Sequence, residues 1–164
     1  MDVMWQELTA GLGDSAQWIR VLVRLAAATL LGGLIGIQRE RAGKPAGLRT
    51  HMLVTLGTAV FVLACAGVGM GQDALSRVIQ GVVTGIGFIG AGSILKINEQ
   101  RDVQGLTTAA GVWMTAAVGV AAGLGSLGVA VLSTLFTLFI LSFAKRFERQ
   151  VDEARAADVE ARNN

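Results

Sequence analysis

Two places in this 164-residue sequence hold side chains suited to ionic chemistry. Asp73, Arg77 and Gln80 recur at about one helical turn, so a helix there sets an acid, a base and an amide on one face. Two readings are open. A carboxylate at a helix mouth can select or bind a cation, and magnesium suits carboxylates, carbonyls and retained waters. Alternatively, Asp73 accepts from early backbone N–H groups, favours the helix N-terminus and pairs with Arg77 at an interface. The second place runs from Gln38 to His51. It holds Arg39, Arg41, Lys44 and Arg49, one acid, Glu40, and the only Pro and the only His of the chain. Its simplest role is to anchor positive charge on one side of a membrane. Glu40 is, with Asp73, the candidate carboxylate for a metal. His51 has no second His or Cys nearby and reads as a hydrogen-bonding residue.

No enzymatic constellation accompanies these groups. A nucleophile elbow, a phosphate loop ending Gly-Lys-Ser/Thr and a His-Glu-x-x-His pair are all missing from the sequence. Gly85-Ile86-Gly87-Phe88-Ile89-Gly90 matches the letters of a dinucleotide fingerprint, but no strand precedes it and no acidic residue follows some 20 positions later. No resident cofactor is expected. Cys65 stands alone, which excludes an internal disulfide framework and a zinc site built on several thiolates. A net charge of +2 argues against nucleic acid as a partner.

The elements that must position these groups are membrane helices. Only 16% of residues are charged and 52% are hydrophobic, against roughly 25% charged in soluble domains. A lipid bilayer is the solvent that such a chain requires. Charge-free stretches of 14, 23, 18 and 42 residues follow Arg24, Arg49, Arg77 and Asp102, and a spanning helix needs about 20 apolar residues. The longest stretch breaks at Gly123-Leu124-Gly125-Ser126, which makes two spans of it. The expected fold is all-α, with five helices near residues 20–37, 50–68, 77–95, 105–123 and 126–144. Arg24 lies one turn inside the first and is expected to extend to the headgroups. Residues 1–18 carry Trp5 and Trp18 and read as an interfacial segment or a frayed terminus, not as a signal peptide, because no basic residue precedes Arg20. Residues 19–144 form the transmembrane domain and 145–164 a cytoplasmic helical tail. Eleven of the fourteen Lys and Arg fall in 38–49, 96–104 and 145–164, so the positive-inside asymmetry puts the N-terminus outside and the C-terminus in the cytoplasm.

Glycine spacing describes how these helices meet. Gly32 and Gly36, Gly81 and Gly85, and Gly111, Thr115, Gly119 and Gly123 follow four-residue intervals that let backbones approach. The third helix adds Gly87, Gly90 and Gly92, enough to make it locally irregular and to offer backbone carbonyls to an ion. Thr107 and Thr108 open the fourth helix, where a hydroxyl ordinarily bonds back to its own backbone.

Three ordered blocks now carry a resemblance: Gly36-Ile37-Gln38-Arg39-Glu40 with Pro45-Ala46-Gly47-Leu48-Arg49-Thr50-His51-Met52-Leu53-Val54; Ser76-Arg77 with Gly85 to Gly92; and Gly105-Leu106-Thr107-Thr108-Ala109-Ala110 with Trp113. Over residues 20–144 the chain resembles the MgtC/SapB family of bacterial inner-membrane proteins. The resemblance implies a multi-pass protein of the cell inner membrane linked to magnesium homeostasis or transport, with Mg2+ as a transported or sensed ion. It singles out Arg39, Glu40, Arg49, Thr50, Asp73, Arg77, Gly85, Gly87, Gly90, Gly92, Thr107 and Thr108. Gln38 stands where many relatives have Glu, and many relatives continue into a soluble domain where only 20 residues follow Ala144 here. Two functions stay open: a cation transporter approached past Asp73 and Glu40, or a non-transporting module that packs against another membrane protein or a second copy.

Overall fold

The computed structural model describes residues 3–4, 15–67, 69–96 and 103–143. Four helices in it are long and apolar enough to cross a membrane: α1 (Ser15–Arg41), α2 (Leu48–Gly67), α3 (Gln72–Gly92) and α4 (Leu106–Gly123). A shorter apolar helix, α5 (Leu127–Phe143), completes the bundle. Strands β1 (Leu95–Lys96) and β2 (Val103–Gln104) link α3 to α4 as an antiparallel pair, with Leu95 opposite Gln104. Phe88 is 84% exposed and Leu30 69%, which suits lipid as the surrounding solvent and not water. Trp5, the segment 5–14 and the tail 145–164 lie outside the described residues, whereas Trp18 belongs to α1.

Helix ends depart from the sequence reading for local reasons. α1 continues through Gln38–Arg41 because nothing before Gly43 stops it. There Gly43 takes φ +66°, the Gly43 N–H bonds the Glu40 carbonyl at 2.9 Å, and the Lys44 N–H bonds the Arg39 carbonyl at 3.1 Å. This is the double bond of a glycine-terminated helix. α3 begins five residues earlier than expected and is one unbroken helix through all its glycines. In a bilayer no water competes for its backbone bonds, so the irregularity expected there is not found and its carbonyls stay engaged.

α2 lies between α1 and α4, and glycine makes both contacts close. A Cβ at Gly32 would strike Thr55 Oγ1 and one at Gly36 would lie 2.6 Å from Leu48 Cα. On the other side a Cβ at Gly119 would strike Thr58 Oγ1, and one at Gly123 would lie 2.9 Å from the Ala59 carbonyl oxygen. The facing threonines have already satisfied themselves: Thr55 Oγ1 donates to the His51 and Met52 carbonyls, and Thr58 Oγ1 to those of Val54 and Thr55. α5 adds Ala130 and Leu141 to the core of Ala28, Ile35, Ala59, Val118 and Ala122.

Not all the glycines expected to pack helices do so within this chain. A Cβ at Gly90 would make ordinary contact with Ala109, 3.6 Å away, but at Gly81, Gly85, Gly87 or Gly92 it would meet nothing within 4 Å. The difference follows from α3, whose buried residues are Ile86 and Gly90 alone.

Arg24 is a second correction. Its Nη1 donates to the Gly123 carbonyl at 3.0 Å, so the cation turns inward to the C-terminal end of α4 and its partial negative charge. Gly125, at φ +83°, makes the room, since a Cβ there would lie 2.7 Å from the guanidinium carbon.

Candidate functional site

The polar centre of the bundle is at the end where α1 finishes and α4 begins. Arg39, in the last turn of α1, is 3% exposed, and its Nη2 donates to Thr108 Oγ1 at 2.8 Å. Deeper in, fully buried His51 in the first turn of α2 places Nδ1 2.7 Å from Thr115 Oγ1. Thr115 gives its own hydroxyl hydrogen to the Gly111 carbonyl at 2.8 Å. Thr108, Gly111 and Thr115 follow one face of α4, and at Gly111 a Cβ would make ordinary contact with the imidazole, 3.9 Å from its Cε1. His51 and Thr115 thus tie α2 to α4, while α1 is tied to α4 by Arg39 and Thr108 at this end and by Arg24 and Gly123 at the other. Arg39 Nε, His51 Nε2 and Gln38 Oε1 are buried and have no hydrogen-bond partner among the described residues.

Glu40, one residue from Arg39, points the other way. Its Oε2 accepts from the Leu48 N–H at 2.9 Å, which satisfies a free donor in the first turn of α2. Gly47 permits the approach, because a Cβ there would sit 3.0 Å from that oxygen. The carboxylate considered for a metal is therefore used as a helix cap. Glu40→Ala is expected to lower stability by about 1 kcal/mol while Glu40→Gln, which keeps an acceptor oxygen, retains most of it. Thermal unfolding of the detergent-purified protein measures this; equal losses in both variants would show that the charge matters more than the cap.

The remaining sequence candidates scatter. Arg49 is exposed and Thr50 partly buried in the first turn of α2. Thr107 is exposed beside the apolar groove between α4 and α5, unlike its neighbour Thr108. Asp73, Arg77 and Gln80 are all exposed in the first half of α3, away from Gly92 and the β1–β2 link. The cap-and-pair arrangement considered for them does not form: Gly71 is the residue before the helix, no side chain caps it, and no ion pair joins Asp73 to Arg77 among the described residues. Nor do three or more His, Cys, Asp or Glu side chains cluster as a metal-binding group among those residues.

The sequence reading takes His51 as a hydrogen-bonding residue and sets Thr115 on the close-approach stripe of the fourth helix, and both hold; Thr55 and Thr58, which it does not single out, complete the interior. A signal existed in their spacing: 51, 55 and 58 recur at one helical turn, as do 108, 111 and 115, which puts polar and small residues on the facing sides of two helices.

Comparison with known proteins places these features in a family. The sequence model described as MgtC family matches residues 25–150. Protein SrpB of Synechococcus elongatus is 43% identical over 143 residues, 80% of this chain and 79% of its own length. The putative magnesium transporter YhiD of Escherichia coli K12 is 42% identical over 130 residues, 73% of this chain and 58% of its own. Protein MgtC of Brucella abortus is 47% identical over 116 residues, 71% of this chain and 48% of its own. The chain thus spans about half the length of the last two relatives. No solved structure matches it.

Proposed function

The chain belongs to the MgtC family, and from that premise we propose that it is a multi-pass protein of the bacterial inner membrane that serves magnesium homeostasis by associating with membrane protein, not by conducting ions through its own helix bundle. In this reading residues 38–49 face the cytoplasm, in line with the distribution of Lys and Arg.

The observation that carries the proposal is the charge of the interior. Among the described residues the one buried formal charge is the cation Arg39, held by Thr108 at the end of the bundle where α1 finishes and α4 begins. A divalent cation crossing there would meet a like charge in a medium that screens little. Magnesium instead requires oxygen ligands and keeps several waters, and Glu40 already serves the α2 terminus. The helices, meanwhile, are close-packed through Gly32, Gly36, Gly119 and Gly123.

Magnesium transport is the second reading. YhiD is named a putative magnesium transporter, and Asp73 and Glu40 lie exposed near opposite ends of the bundle. Mg2+ would then be the cargo. Fluorescent-dye magnesium flux into liposomes that contain only this protein decides between the two. The proposal expects uptake equal to that of empty liposomes. Uptake above that level that Asp73→Asn or Glu40→Gln abolishes would establish transport instead.

A further inference from the structure

The last turns of α1 and α5 border a pocket of about 420 Å³, lined by Leu34, Ile37, Gln38, Arg41, Ala42 and Ser142. It differs in kind from the other clefts. The groove of about 630 Å³ between α2 and α3, with Phe61, Gly81 and Gly85 on its walls, and the one between α4 and α5 are lined by no charged side chain. In the pocket beside α1 three polar groups meet, and each can donate a hydrogen bond. Arg41 is exposed, and its guanidinium has no hydrogen-bond or ion-pair partner among the described residues. The exposed Ser142 hydroxyl has none among them either. Gln38 is partly buried with its Oε1 turned inward, so the end of the carboxamide left to the pocket is Nε2, a donor. No acidic side chain among the described residues lines the pocket. Glu40, the acid nearest in sequence, accepts from the Leu48 N–H on the side of α2.

Depth adds an apolar wall to this group of donors. The 27 residues of α1 make a helix about 40 Å long, against about 30 Å for the hydrocarbon core of a bilayer. The polar run that begins at Gln38 marks where the helix leaves hydrocarbon, so Arg41 lies among headgroups. Leu34 and Ile37 share the face of α1 that carries Arg41, at spacings of three and four, and are 49% and 38% exposed. They lead from the pocket toward the acyl chains.

We infer that this pocket binds the phosphate of a membrane phospholipid. Arg41 pairs with the phosphate, Gln38 Nε2 and the Ser142 hydroxyl donate to its remaining oxygens, and the first methylenes of the acyl chains lie against Leu34 and Ile37. Guanidinium and phosphate match as planar donor and multiple acceptor, and their hydrogen bonds are about twice as strong as neutral ones. Charge favours the lipid over free phosphate. A phosphodiester carries a single negative charge, which one arginine neutralises, whereas a phosphate without a second ester link carries about −1.5 to −2 at pH 7. Free phosphate also makes no use of the apolar wall.

Native mass spectrometry of the full chain, purified in mild detergent, tests this. Phosphatidylglycerol and a neutral diglycosyl diacylglycerol with the same acyl chains are supplied at equal concentration. The first phosphatidylglycerol is expected to be retained about tenfold more than the glycolipid. Arg41→Gln is expected to remove that preference. Arg49→Gln, which takes away an exposed cation of the α2 first turn outside the pocket, is expected to leave it intact. Ser142→Ala and Gln38→Leu are each expected to lower retention about threefold. Gln38→Glu is expected to lower it further, because a carboxylate repels the phosphate that an amide would bond. Circular dichroism checks that every variant is folded, and Arg41→Gln and Ser142→Ala alter exposed side chains only. Equal retention of the two lipids overturns phosphate as the ligand. A preference that survives Arg41→Gln, or that falls as far with Arg49→Gln, overturns the pocket as the site, and equal effects of Gln38→Leu and Gln38→Glu overturn the donor role of Gln38. Excess inorganic phosphate is expected to leave the lipid bound; its displacing the lipid overturns the lipid as occupant.

Discussion

Gly119→Ala is expected to destabilise the bundle by about 1–3 kcal/mol, and Gly119→Leu to prevent its assembly. The added Cβ meets Thr58 Oγ1 and also lies 2.8 Å from Thr55 Cα, which is backbone and cannot swing away. Relief requires α2 and α4 to separate, and that separation also loosens the fit at Gly123. Gly85→Ala is the contrasting case. Nothing lies within 4 Å of its added Cβ, so the change is expected to stay within about 0.5 kcal/mol. Titration of the purified protein from mild detergent into dodecyl sulfate, followed by loss of helical signal, compares the two. A Gly85→Ala loss as large as that of Gly119→Ala would mean that the face of α3 toward the groove is packed as tightly as the centre of the bundle.

The second large effect is expected at Thr108. Thr108→Val keeps the shape of the side chain but removes the oxygen that accepts from Arg39 Nη2. A buried guanidinium then loses its hydrogen-bond partner, at a cost of about 1.5–3 kcal/mol. Thr107→Val, one residue away on the exposed side of α4, is expected to change stability by no more than about 0.5 kcal/mol. Combining Arg39→Met with Thr108→Val removes donor and acceptor together and is expected to recover much of the loss, because no charge is left unsatisfied. If the double variant is less stable than Thr108→Val alone, Arg39 supports the fold through more than this one bond. The same titration supplies all three values.

Much of this molecule follows from the order of its residues. Long charge-free stretches bounded by Arg24, Arg49, Arg77 and Asp102 determine where helices cross, because a charge in hydrocarbon is expensive and a helix satisfies its own backbone. The three blocks around Arg39, Arg77 and Thr107 determine the family. Four-residue spacing marks Gly32, Gly36, Gly119 and Gly123 as contact residues as plainly as it marks Gly81 and Gly85. Only the tertiary structure separates the two sets, since periodicity says that small residues share a face and not what stands opposite it. The same holds for the polar groups. Thr107 and Thr108 look alike in sequence, but a 100° turn along α4 leaves one exposed and puts the other against Arg39. Glu40 and Arg39, adjacent in the chain, part in the same way: one caps the N-terminus of α2 and the other enters the core. Arg24 reaches Gly123, 99 residues away, because α1 and α4 lie side by side. Such partners depend on which helices become neighbours, and that is decided by the summed fit of all their faces, a quantity no single stretch of sequence contains.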